Sequence, residues 1–135
     1  MRNKCFAIGL LLLIFATPYA LAQKFNFSYN GVTVIYDVIS IPKHEVKVKY
    51  VPKNVTAVTI PAMVHFNGEA FKVTEIGAGF CKGGGGLFSS CDDYYSFKNC
   101  KLLKSVVLPN TIRKIDENAF EDCKSLSFVR LSDDL

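Results

Sequence analysis

The sequence predicts an α+β chain: a short solenoid of 23-residue repeats, each a helical turn and a strand, preceded by a β-hairpin-rich N-terminal segment. Three observations carry this. FKNCKLLKSVVL, beginning at Phe97, is answered by FEDCKSLSFVRL, beginning at Phe120, with Phe, Cys, Leu, Val and Leu all displaced by 23 residues. Apolar positions kept in register while their neighbours change freely mark a unit that stacks on its own copy. Two Asn-Gly pairs, Asn30-Gly31 and Asn67-Gly68, separate strand-like runs and are strong hairpin signals. EVKVKYV, from Glu45 to Val51, alternates apolar and basic residues, the period of a half-buried strand.

Residues 1–22 of the 135 read as a signal peptide. Arg2 and Lys4 precede an apolar run of 12 residues, Cys5 to Ala16, and Ala20-Leu21-Ala22 supplies the small residues of a cleavage site before Gln23. Twelve residues at about 1.5 Å each reach about 18 Å, short of a hydrocarbon core of roughly 30 Å. A lipid anchor needs a cysteine after the run, whereas Cys5 begins it. The expectation is export with cleavage after Ala22, no stable membrane span afterwards, and a secreted or cell-surface product. Removing Arg2 and Lys4 takes the net charge from +4 to +2, with 14 basic and 12 acidic residues intermixed. That balance argues against nucleic acid, which wants a clustered basic face.

Residues 23–54 form the β-rich N-terminal segment. FNFSY and VTVIYDV flank Asn30-Gly31, and Pro42 and Pro52 bracket the alternating run of Glu45 to Val51, since proline cannot donate to a continuing ladder. Residues 55–135 hold the repeats. AVTIP, ending at Pro61, has the form of SVVLP, ending at Pro109, and reads as an earlier rung. The hairpin of residues 63–76, MVHF and AFKVTEI joined across Asn67-Gly68-Glu69, is then an insertion, and Ile76 to Phe80 resembles Ile115 to Phe120. A Gly-rich loop, 81–96, follows, with four consecutive glycines, Gly83 to Gly86. A phosphate-cradling loop would need Lys and Ser or Thr after its glycines, but Leu87 and Phe88 stand there.

The pattern IxxxAFxxCxxLxxVxLPxxI, present as FKNCKLLKSVVLPNTIRKIDENAFEDCKSLSFVRL, resembles the BspA-like leucine-rich repeat of bacterial surface and secreted proteins. TIPAMVHFNGEAFKVTEIGAGF is similar to the segment that leads into the first repeats of such proteins, so the resemblance covers Val55 to Leu135. It implies a short leucine-rich-repeat solenoid of parallel strands with helical or irregular returns. It also implies a non-enzymatic protein without cofactors, engaged in adhesion or in binding host or matrix proteins. The chain departs from the pattern in showing two clear units and one earlier one. It reaches LSDDL at 131–135 without a closing polar cap, so the last rung is expected to pair with another chain, self-associate, or mark a shortened member or fragment.

Cys81, Cys91, Cys100 and Cys123 remain after cleavage. Phe88-Ser-Ser-Cys91, Phe97-Lys-Asn-Cys100 and Phe120-Glu-Asp-Cys123 share one FxxC form, which predicts a ladder of inward thiols at Cys100 and Cys123 acting as small hydrophobes. Cys81 with Cys91 is the more natural bridge, across the glycines. No CxxC pair supports zinc. His44 and His65 have no evident catalytic partner; Cys91 with His65 and Asp92 makes a nucleophile arrangement only on paper, without a supporting motif. Asp92, Asp93, Tyr94 and Tyr95 form an acidic aromatic cluster, open to calcium, to a carbohydrate or simply to solvent.

No catalytic or metal-binding residue is therefore assigned. In LxxVxL the residues between the buried ones point outward, which stacks Ser105 and Val107 beside Phe128 and Arg130. An outward aromatic next to an arginine is the sort of anchor interfaces favour. Two functions follow as expectations: recognition of a protein or glycan at a bacterial cell surface or in a host, or an assembly subunit with no ligand of its own.

Overall fold

The structure, a computed structural model, describes residues 23–77 and 96–132. Its first three strands, β1 (Lys24–Tyr29), β2 (Val32–Ser40) and β3 (Glu45–Tyr50), form an antiparallel meander. Asn30 and Gly31 take φ of 49° and 79° between β1 and β2, the left-handed pair that lets a two-residue hairpin follow the twist of its strands. Next come β4 (Ala57–Thr59), β5 (Met63–Phe66) and β6 (Glu69–Ile76). Asn67 and Gly68, at 51° and 82°, close the β5–β6 hairpin in the same manner. The later strands are β7 (Ser105–Pro109), β8 (Lys114–Ile115) and β9 (Phe128–Ser132).

These elements make two sheets over one continuous core. The larger has the order β1-β2-β3-β6-β5, with β8 also on β6; the smaller is the parallel set β4-β7-β9. β3 and β6 run parallel, and β8 takes over from β5 along the far edge of β6, so Val48, Ile76 and Ile115 stand side by side. Phe25, Val34, Tyr36, Val46, Val48, Phe71 and Val73 fill the N-terminal core, while Val58, Ile60, Leu103, Val106 and Leu108 fill the repeat side. Phe25 stacks on Phe66 at 4.5 Å between ring centroids. Charges of both signs meet on the outside, with Arg113 on Glu45 at 2.7 Å and Lys49 on Asp37 at 3.3 Å.

The α component of the expected class does not appear: the described residues form nine strands and no helix. In place of the helical turn expected of each repeat, Asn118 and Asp122 adopt φ of 62° and 57°. Two left-handed residues within five positions interrupt any run of α-helical hydrogen bonds, and Asn and Asp tolerate that conformation best after glycine. Asn99, 23 residues before Asp122, has φ of 62° as well, so this kinked return is itself repeated. In both copies the amide after the kink closes a turn, Cys100 N donating to Phe97 O at 3.0 Å and Cys123 N to Phe120 O at 3.4 Å. Among the described residues no helix is long and apolar enough to cross a membrane. The signal segment and the Gly-rich loop through residue 95 lie outside the described residues.

Two measurements test this packing. A Cβ on Gly77 would stand 3.1 Å from the Val48 carbonyl oxygen and 3.1 Å from Lys47 Cδ. Gly77→Ala should therefore cost about 1–3 kcal/mol of overpacking, reduced by the ~0.4–1 kcal/mol that alanine returns through the unfolded chain; urea unfolding reads the difference. Burial pushes the Tyr36 phenol well above its ordinary range. The folded chain then holds that proton more tightly than the unfolded chain, so the contribution is full below about pH 10 and lost as pH rises further. Unfolding midpoints measured from pH 9 to 11 should fall more steeply for the native sequence than for Tyr36→Phe.

Candidate functional site

The small parallel sheet sets the candidate surface. Its register pairs Ala57 with Ser105 and Ser105 with Phe128, then Thr59 with Val107 and Val107 with Arg130. Two rows three residues deep result, each rung about 4.8 Å from the next. The alternation of a strand turns these residues outward while Val58, Val106 and Val129 turn inward. Ser105 and Val107 are half-buried between their neighbours, and Phe128 and Arg130 are exposed. The structure thus brings Ser105, Val107, Phe128 and Arg130 onto one face. Ala57 and Thr59 extend that face; the AVTIP and SVVLP alignment contained them, but neither had been singled out.

Backbone bonds at the strand entrances keep the rows aligned. Lys104 N donates to Thr56 O at 2.7 Å, and one rung later Ser127 N donates to Lys104 O at 3.0 Å. Ile60 N returns to Val107 O at 2.9 Å. The inward positions behave differently from rung to rung. Val106 and Leu108 are 0% and 1% exposed, whereas their copies Val129 and Leu131 are 50% and 58% exposed, and Ile115 is 49% exposed against 0% for Ile76. An apolar end made of Ile115, Val129 and Leu131 therefore borders the outward rows.

At the corner between rungs, Phe97 stacks on Phe120 with centroids 4.6 Å apart and planes 12° apart. Cys100 is buried and Cys123 half-buried, both as free thiols. Cys123 Sγ donates to Phe97 O at 3.0 Å, and Lys53 Nζ lies 3.8 Å from Cys100 Sγ and 2.5 Å from Lys98 O. Burial pushes both thiols up from their ordinary values, with Lys53 pulling the other way. Sequence reading missed Lys53, which no spacing links to the cysteines. The histidines sit in the N-terminal sheet. His44 Nε2 is 3.7 Å from Glu69 and its ring lies 5.1 Å from that of Phe71, while the His65 ring is 6.3 Å from Phe27. Cys81, Cys91 and the cluster Asp92 to Tyr95 lie outside the described residues. Among the described residues no group of three or more His, Cys, Asp or Glu is placed to hold a metal.

This geometry defines a repeat protein, with 23-residue units stacked strand on strand. Residues 93–135 match the BspA type leucine rich repeat region (6 copies). Comparison with curated proteins gives no match. Among solved structures it is similar to a leucine rich cell surface protein from Faecalibacterium prausnitzii, at 23% identity and a TM-score of 0.53 over 84% of this chain and 25% of that one. A leucine-rich repeat protein from Bacteroides ovatus matches at 21% identity and a TM-score of 0.56, over 82% of this chain and 24% of that one. Another, from Bacteroides capillosus, matches at 23% identity and a TM-score of 0.56, over 82% and 67%. At these identities the likeness is one of fold. The chain spans about a quarter of the length of the first two.

The burial contrast between repeats gives a direct test. Leu108→Ala should destabilise by about 2–5 kcal/mol, as expected for an enclosed leucine. Leu131→Ala, at the equivalent position one rung on, should stay within about 0.5 kcal/mol. Denaturant unfolding of the two variants reads the ratio.

Proposed function

We propose that this chain is an exported, non-catalytic leucine-rich-repeat module that recognises a protein or glycan at a bacterial cell surface. The observation that carries the reading is the register of β4, β7 and β9, which sets Phe128 beside Ser105 and Arg130 beside Val107 on one open face. An aromatic ring 51% exposed, next to a guanidinium and above small residues, offers a flat apolar anchor with a fixed charge two residues along. Such anchors dominate interface energies, and stacked repeats present them on a rigid backbone at little ordering cost. The fold relatives include a cell surface protein, and the basic start, apolar run and Ala-Leu-Ala of residues 1–22 agree with export. In this reading residues 23–54 form the β-rich start of a short solenoid and residues 55–135 its repeats, with the hairpin 63–76 and the loop 81–96 inserted.

A second reading rests on the exposed Ile115, Val129 and Leu131. These would dock against another chain, making the protein an assembly subunit without a ligand.

Retention on a glycan array or by extracted surface proteins tests the first reading. With the full chain as bait, Phe128→Ala and Arg130→Ala together should weaken retention at least tenfold, about 1.4 kcal/mol, with unchanged circular dichroism. Retention indifferent to both changes rejects the outward face as the binding surface. Concentration-dependent association in sedimentation, abolished by Leu131→Lys and indifferent to Arg130→Ala, would favour the subunit instead.

A further inference from the structure

We propose that Cys100 and Cys123 form an oxidisable dithiol that closes a disulfide between neighbouring rungs when the chain meets a low-molecular-weight disulfide. The proposal stands apart from the recognition reading, because it rests on how two rungs meet at one corner. Phe97 N donates to Ala119 O at 3.0 Å and Asn99 N to Glu121 O at 2.9 Å. That is the bond pattern of parallel neighbours, pairing Phe97 with Phe120 and Asn99 with Asp122, the residues just before the two cysteines. Backbones so bonded lie about 4.7–4.9 Å apart, inside the Cα separation of about 4.4–6.8 Å that a disulfide spans.

The sulfurs are directed to suit. Each leans toward the layer before its own, Cys100 Sγ lying 3.9 Å from Pro52 O at the end of the N-terminal segment and Cys123 Sγ 3.0 Å from Phe97 O. Cys123 Sγ therefore already sits against the rung that carries Cys100. The two thiols also differ in access. Cys123 is half-buried, while Cys100 is buried with the Lys53 ammonium 3.8 Å from its sulfur. That charge favours the thiolate needed in the second step, whereas burial of both thiols makes the exchange faster in alkaline solution.

The exchange balances without any other reagent. The Cys123 thiolate attacks one sulfur of RS–SR, forming a Cys123–SR mixed disulfide and releasing RS⁻. The Cys100 thiol gives its proton to water, its sulfur attacks Cys123 Sγ, and the second RS⁻ leaves. Two protein thiols are oxidised by two electrons and one small disulfide is reduced to two thiols.

The test uses the full chain with Cys5→Ser, Cys81→Ser and Cys91→Ser, so that only the two rung thiols remain. After incubation with oxidised glutathione and alkylation, trypsin should release residues 99–101 joined to residues 115–124, lighter by two hydrogens than the separate thiol peptides. The linked pair should exceed the mixed disulfide by at least tenfold more in native buffer than in concentrated urea, since the fold supplies the proximity. Glutathione retained on Cys123, both thiols alkylated, equal linkage in urea, or linkage only between two chains would overturn the proposal. Adding Cys123→Ala, at the half-buried position, should leave Cys100 unmodified in native buffer; glutathione on Cys100 in that variant would show that the order of attack is wrong.

Discussion

The structure depends on the parallel seam between β3 and β6. Gly77 N donates to Val48 O at 2.9 Å, and one strand further on Asp116 N donates to Ile76 O at 2.9 Å. Through these bonds the antiparallel meander acts as the layer on which the repeats are stacked. Ser96 seals the same junction from the side. Its buried hydroxyl lies within hydrogen-bonding reach of the Val48 and Gly77 carbonyls and donates its one proton to either, its own amide donates to Gly77 O, and its carbonyl accepts from Val51 N. Ala119, 23 residues later, repeats the last of these bonds, its carbonyl accepting from Phe97 N at 3.0 Å. A side chain at Gly77 would crowd the Val48 carbonyl, so the seam favours glycine there.

From that seam outward, identical positions meet different surroundings. Val58 and Val106 are enclosed, and Val129 is not; Ile76 is enclosed, and Ile115 is not. The outward rows change less, from half-buried at Ser105 and Val107 to exposed at Phe128 and Arg130, because strand alternation already turns them to solvent. The outward rows and the apolar end are thus two products of one register.

Much of this was legible from residues. The 23-residue period named the register of β7 and β9, and Asn30-Gly31 and Asn67-Gly68 named both tight turns, because each signal is local. The likeness of Ile76 to Ile115 proved to be a strand pairing. Helical returns were misjudged, since Asp116 to Cys123 is rich in residues suited to a helix start and nothing local reveals that Asn118 and Asp122 turn left-handed. The parallel pairing of β3 with β6 was hidden too, because alternation in EVKVKYV shows that a strand is half-buried and not which strand lies beside it. Lys53 beside Cys100 is a contact between residues 47 positions apart, beyond any spacing argument. For the outward face, the sequence located four residues, and the pairing added Ala57 and Thr59.

The seam and the ladder also impose an order of assembly. The hairpins around Gly31 and Gly68 close over two residues, and β7 with β9 over one repeat. Thr56 and Lys104, by contrast, meet only after a loop of nearly fifty residues has been drawn shut, an entropic cost that precedes any gain from the contacts it makes. Folding should therefore be limited by the joining of β4 to β7, with the local hairpins formed beforehand. The hairpin of β5 and β6 shortens that search, because it holds part of the intervening chain in a compact form paired with β3.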